Sequence, residues 1–550
     1  MESRELRSIA FPKLSEAELA SFGSCPLMVL KRYRAGETLF EIGDRNPNFC
    51  VVKSGEVEIV DVSGDAPKTV VVVHEPGEFT GEVAQVTGSP ALVRAVVRRD
   101  SEIYEVSPEA LRQLLSHHPE LGDTILRAFI ARRQLLREPG TFVGPRVIGS
   151  RYSQGTFRIR DFLSKNRVPF TWLDLEADPQ VNALLKRFEL SEADTPVVMW
   201  GGKLLLRNPT NRDLADALGL RHELEQTVYD LVVVGAGPAG LAAAVYGASE
   251  GLRIVVLERT APGGQAGRSM RIENYLGFPA GITGGELAEL AVMQVNKFGA
   301  RLSIPTPVAT LTFDNMYSVL HLDGDETVTT KCLLIATGAD YRLLNVEGCE
   351  TFEGRGVYYA ATPMEAQMCG GSDVVVVGGG NSAGQAAVFL ADQARKVYMV
   401  IRGDDLYKSM SSYLVHRIEQ TPNIDVLCNT EVKRMCGDGH LSAVELINKK
   451  TGETRMLKVP AVFSFIGASP RTEWLPAEID KDEKGFVQTG PSLAQSHNWI
   501  GVRPPFLLET SQRGVFAAGD VRSGSVKRVA SSVGEGAMAV QFVHECLKEM

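Results

Sequence analysis

Two stretches of the chain read strand, glycine turn, helix, second strand: "YDLVVVGAGPAGLAAAVYGASEGLRIVVLER" at 229–259 and "SDVVVVGGGNSAGQAAVFLADQARKVYMVIRG" at 372–403. Their near-continuous Val, Leu and Ile runs suit strands buried on both faces, hence parallel sheets covered by helices. In the first unit Gly235, Gly237 and Gly240 are spaced G-x-G-x-x-G around Ala236, Pro238 and Ala239, and the second strand ends at Glu258. Such glycines allow a tight turn, approach of a pyrophosphate to the helix N-terminus and close helix–strand packing, while the acid accepts a hydrogen bond from a ribose hydroxyl. In the second unit Gly378, Gly380 and Ala383 hold the glycine places around Asn381 and Ser382, and the second strand ends at Arg402. A guanidinium there suits a ribose 2′-phosphate, and Lys408 adds a second positive charge. Two dinucleotide sites are therefore expected, the second marked for NADP.

Further pieces occur in order: "PGGQAGRSMRIENYLGFP" (262–279), "LLIATGA" (333–339), "FSFIGASPRTEW" (463–474) and "GVFAAGDV" (514–521). With the two glycine units they resemble low-molecular-weight thioredoxin reductase over about residues 226–550. The resemblance implies two Rossmann-like three-layer domains. FAD would be bound by two segments, 226–346 and 467–550, with an NADPH-binding domain, 347–466, inserted between them. Gly264, Gln265 and Asn274 would line the flavin, with Gly338 and Gly519 in its other turns, and Asp520 would hold the ribityl chain. Lys527, Arg528 and Val529 would lie near the pyrimidine edge, where positive charge and N–H groups favour the reduced, anionic ring. The resemblance also implies a homodimer. In that family two redox cysteines three apart precede the NADPH site. Here the stretch is "AATP", placing Ala360 and Pro363 at those positions. Neither side chain forms a thiolate, so the flavin-to-dithiol step has no atoms to carry it.

From about residue 30 to 106 short alternating strands are separated by turns at Gly36, Gly43, Gly55 and Gly77, which predicts a β-roll or barrel. Two helices are expected after it, 107–121 capped by Ser107 and Pro108, and 122–136. Residues 1–139 resemble a cyclic-nucleotide-binding domain, on the segment "FTGEVAQVTGSPALVRAVV" (79–97). Gly81 would lead the phosphate-binding turn and Glu82 would take the ribose hydroxyl. Ala91 stands where the family's phosphate-binding arginine belongs, and Arg94 is the nearest substitute. The barrel then either binds a cyclic nucleotide through Arg94 or serves as an interaction module without a ligand.

Residues 140–222 read strand, helix, strand, helix, a hairpin around Gly201 and Gly202, then a helix. That order predicts a small α/β domain of the thioredoxin class, and "VPFTWLDLEADP" with Thr195-Pro196 resembles glutaredoxin. The family's two cysteines at the first helix fall here on Ser153 and Thr156, which cap a helix but cannot cycle to a disulfide.

The eight cysteines are scattered singly, without a CxxC or metal-ligand spacing, so no metal is expected. A net charge of −9 argues against nucleic acid as a partner, and neither a signal-peptide core nor a membrane-length apolar run is present, which suits a cytoplasmic protein. The expected function is an FAD-dependent NADPH oxidoreductase whose acceptor, a small molecule or a protein, is not a disulfide. Two alternatives stay open: a non-enzymatic flavin/NADP sensor or scaffold, and a disulfide reductase using relocated cysteines such as Cys349 and Cys369.

Overall fold

The computed structural model describes residues 3–19, 28–44, 47–61, 69–81, 91, 93–136, 144–179, 181–200, 204–221, 224–225, 227–324, 326–493, 496–499 and 503–550. The chain forms two units: one of Met1–Ser150, Phe162–Glu223 and Val292–Pro305, the other of Arg151–Asp161, Leu224–Ala291 and Thr306–Met550.

In the first unit the strands Met28–Tyr33, Arg94–Val106, Phe49–Asp61 and Thr69–His74 pair antiparallel in that order. Thr38–Phe40 adds to Arg94–Val106, and Phe79–Thr80 adds to Phe49–Asp61. Alternate residues such as Val57 and Ile59 fill the inside of this roll with Val97 and Ile103. The expected Ser107 cap is present, its hydroxyl accepting from the Ala110 N–H at 3.3 Å. The second helix begins at Pro119 rather than at 122. Proline has no N–H to leave unpaired in a first turn, so it opens a helix readily. On that helix the buried Arg132 donates to the Ala10 and Phe79 carbonyls at 2.6 and 2.9 Å and lies over the Phe11 and Phe79 rings. It ties the N-terminal helix Ser3–Ala10 to the roll.

A second sheet of this unit has the order Leu204–Arg207, Val197–Trp200, Arg146–Gly149, Thr171–Asp174. Arg146–Gly149 runs parallel to Thr171–Asp174 and antiparallel to Val197–Trp200. The Thr195–Pro196 peptide is cis. The hairpin tip expected at Gly201 and Gly202 lies outside the described residues.

In the second unit Ile254–Leu257, Tyr229–Val234, Thr327–Ile335, Tyr317–Leu322 and Val308–Asp314 follow one another across a sheet. Val515–Ala517 also pairs with Thr327–Ile335, so the chain returns to this sheet after building another. That other sheet is parallel throughout, in the order Val357–Tyr358, Ala461–Ser464, Asp373–Val377, Lys396–Val400, Ile424–Leu427. Val232, Val233, Val375 and Val376 have no exposed surface, as strands covered on both faces require. The C-terminal helix Val529–Lys548 packs on Pro238–Ser249 so closely that a Cβ added at Gly536 would lie 2.1 Å from the Ala239 carbonyl oxygen.

Residues 151–161 belong to this second unit. The Tyr152 ring stacks on His440 at 4.8 Å, Phe157 packs against Tyr358 at 5.8 Å, and Gln154 Nε2 donates to the Glu353 carbonyl at 3.4 Å. Ser153 precedes the helix Gln154–Lys165 and caps it, its hydroxyl 3.3 Å from the Thr156 N–H, and Thr156 is buried.

Candidate active site

The first glycine turn is built as its spacing predicts. Gly235 has φ +106°, and a Cβ there would meet the Ala336 carbonyl oxygen at 2.4 Å. A Cβ at Gly240 would lie 1.9 Å from the Gly235 oxygen, so this glycine brings helix and strand together. Gly237 instead has nothing within 4 Å of its added Cβ, which leaves open space before the helix Pro238–Ser249 for a phosphate to approach. Ala239 is buried behind this turn. The Glu258 carboxylate accepts from the Ala236 and Thr260 N–H groups at 2.8 Å each and from Ala261 at 3.3 Å. Burial nevertheless holds its pKa above the ordinary carboxylate value, the backbone donors opposing that shift. Its remaining lone pairs suit a hydroxyl donor.

Other elements converge on the same mouth. Gly264 has φ +54° and a Cβ there would come within 3.1 Å of the Gly237 Cα. Gln265 donates its amide to the Ala339 carbonyl, just past Gly338, which has φ +65° and open space beside it. A Cβ at Gly519 would touch Ala239 at 3.1 Å. Asp520, next in sequence, is partly buried and has no hydrogen-bond partner among the described residues. Burial raises its pKa, Lys527 opposes the shift and Glu535 adds to it. A desolvated carboxylate without a protein donor fits the hydroxyls of a bound ribityl chain. Lys527 and Arg528 are exposed, Lys527 with its ammonium 4.6 Å over the Phe486 ring, and Val529 opens the C-terminal helix. Asn274 is exposed on the loop 273–281. The donor set and the glycine cradle fit FAD.

At the second turn Gly378 has φ +135°, with the Phe465 oxygen 2.5 Å from its added Cβ, and Gly380 faces open space at the start of the helix Asn381–Ala391. Asn381 accepts from the Ser411 N–H at 2.7 Å, Ser382 is exposed and Ala383 is buried. Arg402 is exposed past the strand Lys396–Val400, without an ion-pair partner among the described residues. Lys408, expected to add a second positive charge, has its ammonium 2.7 Å from Asp404 and 3.8 Å from Asp405. These residues fit NADPH with Arg402 as the available phosphate partner.

Ala360 and the residues between the two turns border one cleft of about 380 Å³, counting space open to solvent. Gln265, Arg268, Tyr341, Gln385 and Phe465 help to line it. Tyr341 meets Phe465 edge-on at 5.8 Å. Pro363 is exposed at the start of the short helix Pro363–Met368, which Thr362 and Glu365 cap reciprocally. Cys349 and Cys369 are both buried and do not pair. Burial pushes the Cys369 thiol up to about 12 and raises Cys349 as well, so neither is a ready thiolate. Cys546, near the C-terminus, is buried on the last helix beside Cys332. Sequence reasoning did not single out Arg268, Tyr341, Gln385 and Phe465; all but Tyr341 lie within the quoted stretches, where nothing in the spacing marks them as wall residues.

In the roll, Gly81 has φ +90° and a Cβ there would strike the Asn48 oxygen at 2.3 Å. Glu82 lies outside the described residues. Arg94 is paired with Glu41 at 2.7 Å, and Arg98 and Arg99 both pair with Glu56. Among the described residues no group of His, Cys, Asp and Glu could hold a metal, and no helix is long and apolar enough to cross a membrane.

Residues 229–536 match the family described as pyridine nucleotide-disulphide oxidoreductase, and residues 30–118 match the cyclic nucleotide-binding domain. The thioredoxin reductase of Treponema pallidum (strain Nichols) is 36% identical over 315 residues, 57% of this chain and 95% of that protein. The crystal structure of Lactococcus lactis thioredoxin reductase (FR conformation) aligns with a TM-score of 0.53 at 29% identity, over 58% of this chain and 100% of that one. That of T. acidophilum thioredoxin reductase gives 0.52 at 30% identity, over 58% and 98%. The chain belongs to the pyridine nucleotide-disulphide oxidoreductase family, as a thioredoxin reductase-like enzyme that uses FAD and NADPH.

Proposed function

We propose that this enzyme oxidises NADPH and passes the electrons to an acceptor other than a disulfide. The observation that carries the reading is Ala360 at the wall of the cleft, in a chain with no CxxC. When bound, FAD supplies a two-electron carrier between nicotinamide and acceptor. The chain's own part is to hold the pyrophosphate at the Gly237 turn, to bind ribityl hydroxyls at Asp520, and to take the 2′-phosphate at Arg402. The buried, unpaired Cys349 and Cys369 weigh against relocated cysteines. Residues 140–222 are then a thioredoxin-like domain without a redox station, and 1–139 a regulatory or docking module. Anaerobic mixing with NADPH, followed by turnover against quinones, oxygen, a one-electron protein and oxidised thioredoxin, tests the proposal. Thioredoxin reduction at rates matching the best other acceptor would overturn it.

A further inference from the structure

The cleft beside Ala360 holds a charge that the dinucleotide motifs do not use. Arg268 ends the 3-10 turn Ala266–Arg268, is only partly exposed, and its guanidinium has no hydrogen-bond or ion-pair partner among the described residues. A partly desolvated cation gains strongly from a bound anion, because charge-assisted hydrogen bonds strengthen as water is excluded. The other polar side chains at the wall, Gln265, Ser269, Tyr341, Ser382 and Gln385, are all neutral. Among the described residues no thiol, imidazole or carboxylate lines the space, so the wall offers no thiolate. Tyr341 and Phe465 set two aromatic rings at 89° to each other, and the small side chains of Ala360 and Ala361 leave room in front of them.

A disulfide needs a thiolate to open it, which this wall lacks. A cationic acceptor would meet Arg268 with no carboxylate to offset the repulsion. A flat ring that accepts a hydride and becomes an oxyanion needs what is here: aromatic walls, neutral donors and one fixed positive charge.

We propose that the cleft binds a quinone, with Arg268 stabilising the negative oxygen that forms as the quinone is reduced. This rests on the oxidoreductase reading above. The overall reaction is quinone + NADPH + H⁺ → hydroquinone + NADP⁺. The hydride lost by the nicotinamide carries both electrons and one proton. The second proton comes from water to the oxyanion that Arg268 holds, since arginine keeps its own proton. An anion at Arg268 has two sources, the reduced acceptor or a phosphate of NADPH, and the experiment separates them.

Holoenzyme is titrated calorimetrically with anthraquinone-2-sulfonate and, in parallel, with NADP⁺, and NADPH turnover is followed with naphthoquinone. The variants are Arg268→Ala, Arg268→Lys and Ala360→Phe. We expect Arg268→Ala to weaken sulfonate binding and to lower kcat with naphthoquinone by about tenfold or more. Arg268→Lys should recover part of both, and Ala360→Phe should abolish sulfonate binding by filling the space. Unchanged binding in both Arg268→Ala and Ala360→Phe would overturn the proposal. So would a loss of NADP⁺ affinity by Arg268→Ala equal to the loss for the sulfonate, which would assign the cation to the dinucleotide. Failure of NADPH to reduce the wild-type flavin anaerobically would instead sink the oxidoreductase reading, a result the sulfonate titration does not depend on.

Discussion

Arg94 Nε lies 2.7 Å from a Glu41 carboxylate oxygen, with both side chains about one third exposed. The nearest substitute for the phosphate-binding arginine of a cyclic-nucleotide domain is thus paired within its own roll. An exposed pair of this kind is worth up to about 1 kcal/mol. If the roll binds cyclic AMP through Arg94, Glu41→Gln should strengthen that binding by about two- to fivefold in calorimetry. No change would mean that Arg94 does not face the ligand.

Neighbouring glycines of the first turn should fail in different ways. At Gly240 an added Cβ lies 1.9 Å from a backbone oxygen, so Gly240→Ala should cost about 2–4 kcal/mol in chemical denaturation. Gly237 has φ −74° and free space around it, so Gly237→Ala should leave apoprotein stability within about 0.5 kcal/mol yet lower FAD affinity at least about tenfold. Equal losses of stability in the two variants would contradict this separation.

Asp520 makes apoprotein stability depend on pH. Burial raises its folded-state pKa above 3.8, so the native state binds the proton more tightly than the unfolded chain does. This contribution is complete below the unfolded value and is lost as pH rises through the folded one. Asp520→Asn should consequently raise the apoprotein Tm at pH 7, with the gain shrinking as the pH falls towards 4, while flavin is retained less well. Thermal melts at several pH values, together with flavin-to-protein ratios, give both readings.

The buried thiols should be bystanders. A Cys349→Ser, Cys369→Ser double variant should keep NADPH turnover with a non-disulfide acceptor within about twofold of wild type. In native protein both thiols should resist a chromogenic disulfide reagent, and unfolding should expose them. Fast native labelling of Cys369 would show that its helix opens readily.

What the sequence made legible is what local spacing encodes. Gly235 and Gly378 need left-handed backbone at a strand end, and Ser107 before Pro108 announces a helix, so each is readable within a few residues. The start of the next helix is equally local, at Pro119, whose ring suits a first helical turn. The cleft was not legible, because Arg268, Tyr341, Gln385 and Phe465 are ordinary residues that meet only when two sheets place their ends together. The fate of the cations was equally hidden. Glu41 is 53 residues from Arg94, and nothing near either one signals the pair. Asp404 sits beside Lys408 in sequence, where charge spacing on a turn could have suggested the contact.

Tyr152, Gln154 and Phe157 meet His440, Glu353 and Tyr358 from within one chain. Any separate protein seeking the surface around Tyr358 competes with a ligand that dilution cannot remove. A segment of the same chain meets its surface at an effective concentration that does not fall on dilution, which a rival with equal contacts must exceed. Occupancy of that surface is set by chain connectivity, and the abundance of outside partners hardly enters.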